Sequence, residues 1–108
     1  MGTYTNKPPV LVQGTAGTNA ADVVATINPA LDYDHFTIHA VTATLDVQVT
    51  GDGTNWVTVA VQDAAATASA TFVATLTVGK VGLLVGRFLG VRIRQSGASA
   101  ANGNLIGG

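Results

Sequence analysis

Residues 35–62 read HFTIHAVTATLDVQVTGDGTNWVTVAVQ, and the fold class turns on this stretch. Phe36, Ile38 and Ala40 alternate with more polar neighbours. After a break at residues 42–44 the alternation resumes, with Leu45, Val47 and Val49 opposite Asp46 and Gln48. Successive side chains of a strand point to opposite faces, so a period of two predicts half-buried strands and excludes an amphipathic helix. Gly51-Asp-Gly-Thr-Asn55 follows, and its Asp-Gly pair suits a tight hairpin turn because glycine takes positive φ without steric cost. Residues 56–62 then return as a strand.

Working outward, Pro8 and Pro9 each lack an amide donor and bias the preceding residue toward extended geometry, so residues 1–9 read as an extended arm ahead of a domain over 10–108. Residues 10–13 and 22–28 are predicted strands, with GTAGTN at 14–19 as the loop between them. Residues 29–34 carry turn chemistry and make a corner, with Leu31 and Tyr33 available to plug one end of a core. The Ala-rich residues 63–70 read as a surface loop. Residues 71–78 alternate again and predict a strand with Phe72, Ala74, Leu76 and Val78 on its inner face. Gly79, Gly82 and Gly86 break the chain after it. Residues 88–95 form a further strand, with Val91 and Ile93 inward and Arg92 and Arg94 outward, and residues 104–108 end the chain as an edge strand. Seven to eight short strands at this spacing predict an all-β fold, a single antiparallel β-sandwich or jelly-roll-like domain.

Composition agrees. Thr, Ala, Val and Gly make up more than half of the 108 residues, and hydrophobic residues 47%. Charged residues are only 10%, five Lys plus Arg against six Asp with no Glu, whereas an average soluble domain carries about 25%. A net charge of −1 gives no general attraction to nucleic acid or an anionic membrane. The stretch 81–91 is interrupted by Arg87 and is far shorter than the roughly 20 residues a bilayer-spanning helix needs. With no cysteine there is no disulfide framework and no thiolate chemistry. The N-terminal residues carry no basic or apolar leader pattern, and a soluble chain is expected. So few charges on a sheet protein whose edges need cover predict a homo-oligomer, a trimer.

Candidate chemistry is sparse. Residues 74–81 end in Gly79-Lys80 but lack the first glycine, the Ser/Thr and the helix of a phosphate loop. His35 and His39 are four apart, which on a strand separates them by roughly 13 Å and prevents a shared metal ion. Asp32 and Asp34, and Asp52 with Asn55, supply too few oxygens for calcium and are accounted for by turn capping. Ser69, Ser96 and Ser99 stand in small-residue loops without a nucleophile-elbow pattern, so no enzyme and no cofactor are expected. Trp56 is either a sugar-stacking platform or a large side chain at the core or its edge, and burial favours the latter. Arg92 and Arg94 project from one face with Arg87 upstream, either as a solvated stripe or as a contact for an acidic partner surface.

Residues 45–59, LDVQVTGDGTNWVTV, followed by FLGVRIR at 88–94, resemble a pattern in small tailed-phage virion proteins. Size, absent cysteine, sparse charge and Thr/Ala/Gly richness are similar to those of capsid decoration (cement) proteins. The resemblance implies a structural role, with subunits, often trimers, reinforcing the outer shell by binding the major capsid protein or another virion protein. The implied location is the virion, assembled in the host cytoplasm. Arg87, Arg92, Arg94, Pro8 and Pro9 are then the partner-contact candidates. The same pattern occurs in carbohydrate-binding sandwiches and tail-fibre modules, so a carbohydrate- or receptor-binding module of a tail or baseplate is the alternative.

Overall fold

A computed structural model describes residues 8–17, 19, 21–65, 71–97 and 101–108. Ten strands run in the order β1 (Val10–Ala16), β2 (Val23–Ile27), β3 (His35–Ala40), β4 (Leu45–Thr50), β5 (Trp56–Val59), β6 (Val61–Asp63), β7 (Phe72–Val73), β8 (Val81–Val85), β9 (Gly90–Gln95) and β10 (Ala101–Gly107). They form a six-stranded sheet, β1-β10-β3-β8-β6-β7, and a four-stranded sheet, β2-β9-β4-β5. Neighbours are antiparallel throughout, and the described residues contain no helix. The fold is an all-β sandwich.

The core lies where the alternating residues of the two sheets meet. Phe36 and Ile38 of β3, Leu45 and Val47 of β4, Val91 and Ile93 of β9 and Leu105 of β10 are all buried. Val47 pairs with Ile93 and Val49 with Val91 across the four-stranded sheet, while Ile38 pairs with Leu105 across the other. Full burial of one such aliphatic side chain stabilises by about 1.5–3 kcal/mol, so this shared face supplies the main drive to fold. Tyr33 plugs one end, edge-on to Phe36 at 6.2 Å between ring centroids. Its hydroxyl donates to the Pro8 carbonyl at 3.3 Å.

Several local expectations are corrected. β1 runs on through Gly14 to Ala16, because β10 continues to pair with it as far as Ala101. Residues 56–62 are two strands: the chain changes sheets at Ala60, leaving β5 in one sheet and β6 in the other. The inward strand expected at 71–78 exists only as β7. A bend at Ala74 and Thr75 breaks the alternation, so Phe72 is 65% exposed while Leu76 is 1% exposed. Leu76 exchanges backbone hydrogen bonds with Leu45 at 2.7 and 2.9 Å, tying this connection to the four-stranded sheet. Gly82 does not break the chain but lies inside β8. A Cβ there would come within 2.9 Å of Val61 Cγ2 and 3.2 Å of Leu76 Cδ1. The terminal strand is not an edge, since β10 lies between β1 and β3. Of the predicted arm, residues 1–7 lie outside the described residues, as do Ser69 and Ser99.

Candidate functional site

The outer face of the four-stranded sheet gathers the polar side chains that alternate with its core residues. On β9 the core takes Val91 and Ile93, which sends Arg92 and Arg94 outward; on β4 the core takes Leu45 and Val47, which sends Asp46 and Gln48 outward. Register then sets Arg94 directly opposite Asp46 and Arg92 directly opposite Gln48. Arg94 makes a two-pronged contact with Asp46, Nε to Oδ1 at 3.1 Å and Nη2 to Oδ2 at 3.0 Å. Arg92 donates from Nε and Nη2 to Gln48 Oε1 at 2.8 and 2.6 Å, and Gln48 Nε2 donates onward to Thr58 Oγ1 of β5 at 3.1 Å.

Trp56 belongs to this face and not to the core. It is half-buried, and the Arg92 guanidinium carbon stands 4.4 Å from its ring centroid. Gly90 leaves the room it occupies: a Cβ at that position would lie 3.0 Å from Trp56 Cη2 and 2.9 Å from Thr50 Cγ2. Partial burial, and after it the neighbouring Arg94 charge, lower the Arg92 pKa from its ordinary value, and Asp46 acts in the opposite direction. The face thus brings together one tryptophan and two guanidinium groups. The bonds to Gln48 use two of the five N–H donors of Arg92, and those to Asp46 use two of the five of Arg94.

The other predicted residues fall elsewhere. Arg87 is exposed in the connection from β8 to β9, where its charge helps keep the Asp34 carboxyl below its ordinary pKa. The main cause of that lowering is the 2.8 Å hydrogen bond between Asp34 Oδ1 and His35 Nδ1. Pro8 and Pro9 flank Tyr33 and the last residue, Gly108. Asp52 caps its hairpin: Oδ1 accepts from the Thr54 and Asn55 amides at 2.8 Å each, and Oδ2 from Asn55 Nδ2 at 2.7 Å. Lys80 is 3.9 Å from Asp63, and the exposed Ser96 hydroxyl donates to the Thr44 carbonyl. Asp46 and Gln48 were missed as parts of the site. Their outward parity was readable, but β4 and β9 are far apart in the chain, and only their pairing shows which acceptor meets which arginine. An open cleft of about 380 Å³ lies at the β1–β10 edge, lined in part by Gln13, Thr15, Val41, Asn102 and Asn104.

No protein-family model matches the chain, and no curated protein sequence matches it. Solved structures do resemble it in fold. The crystal structure of the SPBc2 prophage-derived protein YomS has a TM-score of 0.66 at 7% identity, covering 95% of this chain and 96% of that one. Drosophila melanogaster CENP-C, solved bound to CAL1, has a TM-score of 0.51 at 9% identity, covering 91% and 64%. A chain of the Bacillus endospore appendages, described as a novel family of disulfide-linked pili, has a TM-score of 0.50 at 18% identity, covering 91% and 79%. At these identities the likeness is one of fold.

Proposed function

We propose that the chain is a structural protein of a phage particle, of the capsid-decoration kind, whose arginine face contacts another virion protein. The observation that carries this reading is the end-to-end likeness to a prophage-derived protein. The pattern at residues 45–59 and 88–94 agrees with it. Charge-poor composition suits a protein that works by burying surface against neighbours. On this reading Arg92 and Arg94, held in place by Gln48 and Asp46, offer their remaining N–H donors to carboxylates or carbonyls of the partner. Arg87, Pro8 and Pro9 are contacts from other parts of the surface, and the chain performs no catalytic step.

The test is occupancy. Tagged chain is added to purified particles depleted of the native protein, and bound copies are counted by quantitative mass spectrometry. Saturable binding that drops in Arg92→Ala and Arg94→Ala supports the reading, while absence of the chain from purified particles overturns it. The alternative, a carbohydrate- or receptor-binding module, draws on the cleft beside β1 and β10, whose lining includes amide side chains that can donate to and accept from hydroxyl groups. Glycan binding abolished by Asn102→Ala or Asn104→Ala, with particle binding intact, would decide for it.

A further inference from the structure

Gly14 of β1 stands directly opposite Gly103 of β10, flanked in register by Gln13 opposite Asn104 and Thr15 opposite Asn102. Both glycines take inward positions at which a side chain has no room. A Cβ on Gly14 would fall 1.7 Å from the Val24 carbonyl oxygen of β2, and one on Gly103 would fall 2.7 Å from Leu45 Cδ1 of β4. At this pair the six-stranded sheet therefore lies against the other sheet with no side chain of its own between them. The cleft of about 380 Å³ opens over the pair. Strand parity turns Gln13, Thr15, Asn102 and Asn104 outward around it. Val41 makes a wall, held in place by the connection from β3 to β4: the Val41 and Thr42 amides donate to the Asn102 carbonyl at 3.1 and 3.3 Å, and the Asn102 amide donates to Thr42 Oγ1 at 2.7 Å. The main chain of Asn102 is thus engaged while its side chain is not. Among the described residues, none of the four outward side chains has a hydrogen-bond partner.

We propose that this cleft binds a neutral pyranose, a sugar without carboxylate, sulfate or phosphate. Opposite residues of an antiparallel pair stand about 5 Å apart and alternate residues of one strand about 7 Å apart, so the side chains of Gln13, Thr15, Asn102 and Asn104 mark the corners of a rectangle that one pyranose ring spans with its hydroxyls. A carboxamide both donates and accepts, as do a threonine hydroxyl and every sugar hydroxyl. Each corner can therefore pair with whichever hydroxyl the ring presents. The glycine pair lets the ring approach the backbone between the corners, and Val41 offers apolar contact to its C–H groups. No lining residue carries a formal charge. An acidic sugar would give up hydration of its charge there with no cation to replace it. The volume of about 380 Å³ lies at the small end of the roughly 300–1,000 Å³ of ligand sites, which suits one or two rings and not a protein surface. The inference rests on the carbohydrate reading of this cleft and narrows it to one class of ligand. The arginine face lies on the other sheet and is independent of it.

Titration of the isotope-labelled full chain followed by two-dimensional NMR tests it, because the side-chain amides of Gln13, Asn102 and Asn104 report directly. The probes are glucose, galactose, mannose, fucose and N-acetylglucosamine, with glucuronate and N-acetylneuraminate as acidic counterparts, each taken to about 50 mM, well above a millimolar Kd. At least one neutral sugar is expected to shift those side-chain amides and the Gly14 and Gly103 backbone amides saturably, with the acidic sugars at least about tenfold weaker. Asn102→Ala and Asn104→Ala should each weaken that binding about 3- to 10-fold at unchanged far-UV circular dichroism. Asn104→Asp, which keeps the shape and removes both donors, should weaken it as much and serves if the alanine variants do not fold. If no sugar of either kind shifts the cleft, the proposal is overturned and the carbohydrate reading with it. An acidic sugar that binds the cleft as tightly as any neutral one overturns the proposal and leaves the carbohydrate reading standing. Shifts confined to another surface, or binding indifferent to all three variants, overturn it as well.

Discussion

The Arg92 guanidinium carbon lies 4.4 Å from the centre of the Trp56 ring, although the two side chains rise from β9 and β5 with β4 between them. The contact bridges the intervening strand, with Gly90 and Gln48 as its supports: Gly90 has no side chain to stand in the indole's place, and Gln48 fixes the guanidinium from β4.

Removing Arg92 therefore exposes the indole. Trp56 is the single tryptophan, so its fluorescence reports this site alone. Arg92→Ala is expected to shift the emission to the red, raise acrylamide quenching and cost about 1–2 kcal/mol in urea unfolding. Arg92→Lys should recover only part of each effect, because an ammonium cannot reproduce the flat two-donor contact with Gln48.

Gly90→Ala inserts a methyl where Trp56 and Thr50 already stand within about 3.0 Å. A loss of about 1–3 kcal/mol is expected, together with the same red shift, since the indole must leave its place over the strand.

The Arg94–Asp46 contact is two-pronged and well shielded, with side-chain exposures of 22% and 12%. Asp46→Ala leaves Arg94 without its acceptor and is expected to cost about 1.5–3 kcal/mol. A double-mutant cycle with Arg94→Ala, read by denaturant unfolding, should show a positive coupling energy, and additivity would mean that the pair contributes nothing jointly.

Asp52 gives the clearest pH dependence. Amide hydrogen bonds from Asn55 and Thr54, helped by the Asn55 side chain, hold its carboxyl well below the ordinary 3.8. A carboxylate whose folded pKa is depressed adds stability above its unfolded pKa and loses it as pH falls toward the folded value. The stability gap between wild type and Asp52→Asn should thus be constant above pH of about 5 and shrink steadily below about 4. A gap unchanged down to the acid limit would show that the carboxylate charge plays no part in the hairpin.

Leu76 and Val78 belong to one alternating series, but the turn closed by the Lys80 amide on the Thr77 carbonyl at 3.0 Å takes Val78 out of it. Leu76→Ala is expected to cost about 2–5 kcal/mol by leaving a cavity. Val78→Ala, at an exposed position, should stay within about 0.5 kcal/mol. Thermal or urea unfolding of the two variants checks this.

Sequence by itself determined the local pieces of this protein. The strands at 35–40 and 45–50, the capped hairpin at 51–55 and the outward pair Arg92 and Arg94 all follow from a period of two and from turn chemistry, which the backbone of a few neighbouring residues enforces. Tertiary structure alone decided the rest. The switch of sheets at Ala60, the outward turn of Phe72, the interior place of β10 and the partners Gln48 and Asp46 each depend on which strand lies beside which. That choice is made by the joint packing of residues distant in the chain. An alternating pattern fixes two faces of a strand without saying which neighbour, or which second surface, each face will meet.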